Sequence, residues 1–439
     1  MNKLEKYSSY KDSGVEWLGE IPEHWEVQRL RTLGVFSASG IDKYINKNET
    51  IVKIINFTDV YSNIKRVLNN TIDFMEVTTP ENNRKKHLVK KGDLIFLPSS
   101  ETYEDLGLSA LVDEELDNTS FSYHVIRLQF KKDIEHSFRK YLTNNNFVSN
   151  QFSSYGKGTT RKIIGRNVFN NIKIVLPPKE EQTKIASFLD EKTAQIDEAI
   201  SQKEKLIELL KERKQIVIND AVTKGVAFGS GTKVPFPKMK DSGVEWIGEI
   251  PEHWEIKKLK FIVNNKTVKS IESDFKIALE NIESKTTKYI ETQEIVFSEA
   301  GINFNKGDIL FGKLRPYLAK VYLAEKDGLC VSEFLVLESK QIYNLFLKYI
   351  LVSYSCIDYI NSSTYGTKMP RASWSFIGNS LIPIPPKEEQ IKIVEYIENQ
   401  TSKIDIAIEL QQNYISKLKE YKASLIDSVV TGKVKVYCD

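Results

Sequence analysis

The chain is written twice. Residues 11–30 read KDSGVEWLGEIPEHWEVQRL, and residues 240–259 read KDSGVEWIGEIPEHWEIKKL. PPKEEQ occurs at 177–182 and again at 385–390, and a Lys-Gly-Asp turn leads an apolar strand at 91–96 and at 306–311. A repeat of this kind decides the architecture before composition does. Each half has a lead segment, a divergent middle (34–174 and 263–382), PPKEEQ and a helical pattern. Duplication for stability or pseudo-symmetry alone is one explanation. It does not account for similar frames around different contents, as two related readers with two targets would.

At 439 residues, the chain predicts two to four domains. Hydrophobic residues at 41% and charged residues at 28% fit a globular protein. No stretch approaches the ~18 apolar residues of a membrane span, and the polar start lacks a signal-peptide core. Cys330, Cys356 and Cys438 form no disulfide framework or metal pattern, so a reducing cytoplasm is expected.

After each PPKEEQ the pattern turns helical, with Glu180 and Glu181 suited to the positive end of a helix. Leu189, Thr193, Ile196, Ile200, Lys203, Ile207, Leu210, Lys214, Val217 and Ala221 fall on alternating four- and three-residue steps, a coiled-coil seam. The second copy, Ile397 to Val429, repeats it, and the polar breaks coincide: Thr193 with Thr401, Lys203 with Gln411, Lys214 with Lys422. A helix over 179–222 would run about 65 Å at ~1.5 Å per residue. Two such helices can bury each other antiparallel and space the middles apart; alternatively, each packs on its own domain. The expected segments are a first domain at 1–176, a helix at 177–223, a Gly/Pro/Ser-rich linker at 224–239, a second domain at 240–384, a helix at 385–431 and a tail at 432–439.

The middles read as mixed α/β, with strands expected at Thr50–Phe57, Asp93–Leu97, Val125–Phe130 and Ile172–Leu176. Net charge is only +3, but between Ser137 and Lys179 there are eight basic residues and no acid, and Tyr359–Lys387 likewise has Lys368, Arg371 and Lys387 without Glu. Small residues let a backbone approach phosphate, Lys and Arg supply counter-charge, and Arg can read guanine. The candidate nucleic-acid contacts are Lys157, Gly158, Thr159, Thr160, Arg161, Lys162 and Arg166, then Gly366, Thr367, Lys368 and Arg371, with Lys313 and Arg315 in the second half only. Solvated surface loops are the alternative. Asp12, Trp17, Glu20, Glu23, His24 and Trp25 read as structural, with Val15, Trp17, Ile21 and Trp25 pinning a short element.

Catalytic signatures are missing. Gly156-Lys-Gly-Thr159 lacks the first glycine of a phosphate loop, and no GxGxxG opens a helix. No Asn or Asp precedes Pro-Pro-aromatic, the grip an amino-methyltransferase would use. Asp241 with Glu255 and Lys257 could suggest a nuclease, but the duplicate has Glu26-Val27-Gln28. The five histidines show no metal spacing.

The doubled GEIPEHWE and doubled PPKEEQ resemble the specificity subunits of type I restriction–modification systems over nearly the whole chain. The resemblance implies a mixed α/β (α+β) fold with two target recognition domains separated by long antiparallel coiled-coil helices. It implies a non-catalytic subunit whose domains each read half of a bipartite double-stranded DNA site. The implied partners are two modification subunits that methylate adenine and restriction subunits that translocate and cut. S-adenosylmethionine, ATP and Mg are expected on those partners, and no cofactor on this chain.

Overall fold

The computed structural model describes residues 5–226, 237–292, 300–366 and 368–437. Most of the expected linker (227–236), Thr367 and Cys438 lie outside the described residues. The fold is mixed α/β, in two compact units: Met1–Gln202 with Tyr414–Asp439, and Lys203–Asn413. This division cuts across the expected linear segments, because each unit takes part of both long helices, Lys179–Lys224 and Lys387–Val430.

In the first unit the repeated motifs touch each other. The lead strand Glu26–Arg29 pairs antiparallel with Lys173–Leu176, the strand that enters PPKEEQ. Glu181, in the first turn of the helix, accepts the Trp25 indole N–H at 2.9 Å and lies 2.6 Å from His24 Nε2. Gln182 is equally committed: its amide donates to the Pro177 carbonyl at 2.8 Å and accepts from the Glu135 backbone at 2.9 Å. The chain ends join here as well. Lys435 N–H donates to the Glu5 carbonyl at 2.8 Å, and the Tyr437 hydroxyl donates to Glu181.

Above this base stand a five-stranded sheet, ordered Gly34–Ser37, Ile126–Phe130, Leu94–Phe96, Ser109–Val112, Val67–Leu68, and a three-stranded sheet ordered Thr119–Phe121, Thr50–Ile55, Met75–Thr79. The Lys-Gly-Asp motif is the turn into Leu94–Phe96. Gly92 takes φ 91°, and the Asp93 carboxylate accepts from Lys90 N–H at 2.9 Å. The strand expected to reach Phe57 stops at Ile55. There the Asp59 carboxylate reaches back to accept Asn56 N–H at 2.6 Å, which starts the helix Phe57–Tyr61.

The second unit repeats the base. Glu255–Lys258 pairs with Leu381–Ile384, Trp254 donates to Glu389 at 3.1 Å, and His253 Nε2 lies 2.7 Å from the same carboxylate. Its sheets differ from those of the first unit, being four-stranded: Val263–Lys266, Phe334–Ser339, Ile309–Gly312, Val321–Leu323, and Lys269–Ser270, Gly301–Phe304, Gly328–Cys330, Lys276–Ile277. Gly307 repeats the left-handed turn at φ 91°.

The helices run antiparallel within each unit, and their polar breaks are matched. Lys422 holds Asp197 through bonds of 2.7 and 2.6 Å in the first unit. Lys214 holds Asp405 at 2.7 Å in the second, where Lys203 also donates to Gln411 at 3.0 Å. The alternative of packing on the helix's own domain holds in part. Ile393, Val394 and Ile397 from the start of the second helix, with Ile218, Ala221 and Val222 from the end of the first, join the second unit's core around Trp254 and Phe346. Asp427 accepts Phe147 N–H at 3.1 Å in the first unit, and Asn219 accepts Ser355 N–H at 3.2 Å in the second. So each domain is closed by the start of its own helix and the end of the other half's.

One pinning residue does not behave as expected. Val15, Ile21 and Trp25 are buried, but Trp17 is 65% exposed. Its counterpart Trp246 stacks on Tyr359 with centroids 5.9 Å apart. In the first unit Gln151 occupies the equivalent helix position and spends its amide on the Phe147 and Lys173 carbonyls, so Trp17 has no aromatic to cover it.

The shared use of the helices makes a specific prediction. Leu425→Ala should cost ~2–5 kcal/mol, and hydrogen exchange should rise first in residues 5–202. Ile397→Ala should cost a similar amount, with exchange rising in 203–413. If Leu425→Ala instead opened its sequence neighbours in the second unit, the helix end would not belong to the first domain's core.

Candidate functional site

The candidate loops are closed in the same way in both domains. After the helix Asn146–Tyr155, Lys157 and Ile163 exchange backbone bonds of 3.1 and 2.8 Å around residues 158–162. After the helix Tyr354–Ser362, Tyr365 and Arg371 exchange bonds of 3.2 and 3.1 Å around residues 366–370. Each loop opens on a glycine with positive φ, 122° at Gly158 and 92° at Gly366. At Gly158 a Cβ would also run into the Arg161 carbonyl oxygen.

The backbone sets a register that sequence similarity obscured. Tyr155-Gly156 and Tyr365-Gly366 look alike as letters, but Gly158 is the structural partner of Gly366. Arg161 and Lys162 therefore correspond to Met369 and Pro370, and Lys368 to Thr160. The two loops share a path and carry their charges at different points along it.

In the first loop Lys157, Gly158, Thr159, Thr160 and Arg161 are exposed. Lys162 donates to the Thr159 carbonyl and lies 5.0 Å from the Tyr103 ring centroid. Arg161 Nε donates to Ser99 Oγ at 3.0 Å, and its guanidinium carbon sits 5.0 Å from the Phe57 centroid. Phe57 stacks on Tyr61 at 5.3 Å. Arg166 is anchored instead, donating to the Phe36 carbonyl. Ser99 and Phe57 were missed from sequence because neither carries charge; the segment 96–101 looked unlike its basic counterpart 311–317. The structure places Ser99–Ser100 as the strand that pairs with Lys162–Ile163.

In the second loop Lys368 is exposed, while Thr367 lies outside the described residues. Arg371 bridges to Leu314, which brings Lys313 and Arg315 to the same place. Arg315 takes φ 52°, donates its N–H to the Pro370 carbonyl at 2.7 Å and reaches the Lys368 carbonyl with Nη2 at 3.4 Å. Arg371 binds Glu333 through Nη2 at 3.1 Å and Nε at 3.2 Å, and that carboxylate raises its pKa. Its charge is therefore already matched.

The basic stretch 137–179 is not one surface. Arg139 donates to the Gly92 carbonyl at 2.8 Å and lies over Phe130, Lys140 pairs with Asp190 at 2.6 Å, and Lys179 pairs with Asp133. These three of the eight cations thus serve packing, Arg139 through a backbone carbonyl and Lys140 and Lys179 through acids from outside the stretch. Burial, with Lys43 and Arg161 adding to it, holds the His124 pKa below its ordinary value.

Among the described residues no three His, Cys, Asp or Glu side chains gather as metal ligands, and no helix is long and apolar enough to cross a membrane. Cys330 and Cys356 are buried thiols, each pushed up to about 12 by burial.

A family model described as the type I restriction modification DNA specificity domain matches residues 22–209 and 251–416. The type I restriction enzyme EcoKI specificity subunit of Escherichia coli (strain K12) is 24% identical over 444 residues, covering 95% of this chain and 90% of that protein. The EcoDI specificity subunit of Escherichia coli is 24% identical over 339 residues, covering 74% and 72%. Among solved structures, a chain from a study of complex assembly and conformational transition of the type I R-M system superposes with TM-score 0.65 at 15% identity, covering 94% of this chain and 99% of that one. The HsdS subunit from Thermoanaerobacter tengcongensis gives 0.51 at 17% identity, covering 94% and 98%. At these identities the structures speak for the fold alone.

The glycine at the loop opening can be tested directly. Gly158→Ala should cost ~1–2 kcal/mol of local strain, seen as faster hydrogen exchange at 157–163 with the rest of the unit protected. Gly165→Ala is the control: a Cβ there meets open space, and its φ of −73° suits any residue. Equal effects at both positions would show that the left-handed turn does not hold the loop.

Proposed function

Because the chain belongs to the type I restriction modification DNA specificity family and carries two of its domains in tandem, we propose that each domain reads one half of a bipartite, asymmetric DNA site. The observation that carries this reading is the pair of loops. Gly158 and Gly366 open the same hairpin on the same base, yet the side chains that follow differ in charge and position. A common backbone path with different donors suits two readers of different half-sites, since phosphate contacts position and side chains on base edges specify.

On this reading the chain binds and positions and catalyses nothing itself. It holds two modification subunits that methylate adenine with S-adenosylmethionine, and restriction subunits that use ATP and Mg to translocate and cut. The names of its relatives as restriction-enzyme specificity subunits support that assignment.

The test is a domain exchange. Replacing residues 34–174 with the matching region of a relative should change one half of the methylated motif and leave the other, as read by mapping methylated adenines in the host genome. Joint change of both halves would refute independent readers. Purified alone with S-adenosylmethionine, the chain should transfer no methyl group. Lys157→Ala should weaken DNA binding by the assembled complex on every sequence and reduce the salt slope by about one.

A further inference from the structure

Arg161 differs from the other loop cations in how it is held. Ser99 takes its Nε at 3.0 Å, and its guanidinium carbon lies over the Phe57 ring, 5.0 Å from the centroid. Both supports are themselves fixed. Ser99 lies in the two-residue ladder with Lys162–Ile163, and Phe57 packs on the core containing Ile55, Val60 and Leu68 while stacking on Tyr61. The Nε edge of the guanidinium is thereby occupied, and the group is seated over an aromatic ring. Among the described residues, no hydrogen-bond acceptor meets the two terminal nitrogens of this exposed residue. The neighbouring cations contrast with this: Lys162 bonds within the loop, Arg166 is spent on Phe36, and in the other domain Arg371 is spent on Glu333.

A parallel pair of fixed N–H donors fits the O6 and N7 acceptors on the major-groove edge of guanine, the commonest specific contact of arginine. A phosphate can be met by a mobile lysine, so immobilising a plane gains little there, whereas a base must be met in one orientation. We propose that Arg161 reads a guanine in the half-site bound by the first domain, with Ser99 and Phe57 as positioning residues. This inference rests on the DNA-reading function proposed above. The corresponding residue in the second loop is Met369, so that loop lacks this contact and the two half-sites are read by different chemistry.

The experiment uses the full chain assembled with its modification subunits and duplexes carrying its methylated site. Each guanine is replaced in turn by 7-deazaguanine, which removes N7 and keeps base pairing. The wild type should lose roughly 5- to 150-fold in affinity at one guanine of the first half-site. Arg161→Ala should no longer respond to that replacement, and Arg161→Lys should keep the wild-type salt slope. Ser99→Ala and Phe57→Leu should shrink the penalty without moving it to another base. Thermal midpoints close to wild type would show that the variants fold. The proposal is overturned if Arg161→Ala retains the full penalty, or if it weakens all duplexes equally and lowers the salt slope by about one, which is the behaviour of a phosphate contact. A wild-type complex that failed to distinguish its site from unrelated DNA would instead overturn sequence reading by the chain as a whole, and this proposal with it.

Discussion

Everything variable in this chain hangs from one carboxylate in each half. Glu181 accepts the indole N–H of Trp25, and Glu389 that of Trp254, with a histidine beside each. Hydrogen bonds to a charged acceptor contribute ~1.5–3 kcal/mol, more than neutral ones, and a buried indole left unpaired would cost a similar amount. The contact lies next to the ladder joining the lead strand to the strand before PPKEEQ. Chain departure and return are thereby locked side by side. Whatever lies between must start and finish at one place, and is otherwise free in its sheets, as the five- and three-stranded sheets of one unit and the paired four-stranded sheets of the other show.

That constraint explains why the frame was legible in the sequence. GEIPEHWE and PPKEEQ recur because they are the two sides of one contact, and the seam from Leu189 recurs because each helix meets the other. Lys214 and Lys422 stood out as polar breaks in that seam; their partners Asp405 and Asp197 did not, because an acid on a charged helix carries no signal until the partner helix is placed. The helix ends were misjudged for the same reason. Ala221 falls on the seam in the sequence, yet with Val222 it completes the second unit's core.

The recognition surface was less legible, for a different reason. Counting charge between Ser137 and Lys179 treated all cations alike, whereas Arg139, Lys140 and Lys179 find acceptors from distant parts of the chain. Tyr-Gly occurs in both loops, but matching those letters would displace one loop by two residues, because the required feature is a left-handed glycine and the first loop contains two glycines. Gly156 has φ −61°, and only Gly158 takes the turn. Backbone handedness, not residue similarity, decides which side chains correspond.

The first unit is built from the two extremes of the polypeptide, Met1–Gln202 and Tyr414–Asp439. Synthesis therefore finishes the second unit before the first. Until residues 414–437 are made, the first unit lacks the Asp427 carboxylate that accepts Phe147 N–H and the Lys422 ammonium that holds Asp197. Closing the first unit brings together residues as far apart as Phe147 and Asp427, 280 positions along the chain. Contacts of such long sequence separation carry a loop-closure cost and form slowly, so this unit is the one whose assembly the chain's topology delays.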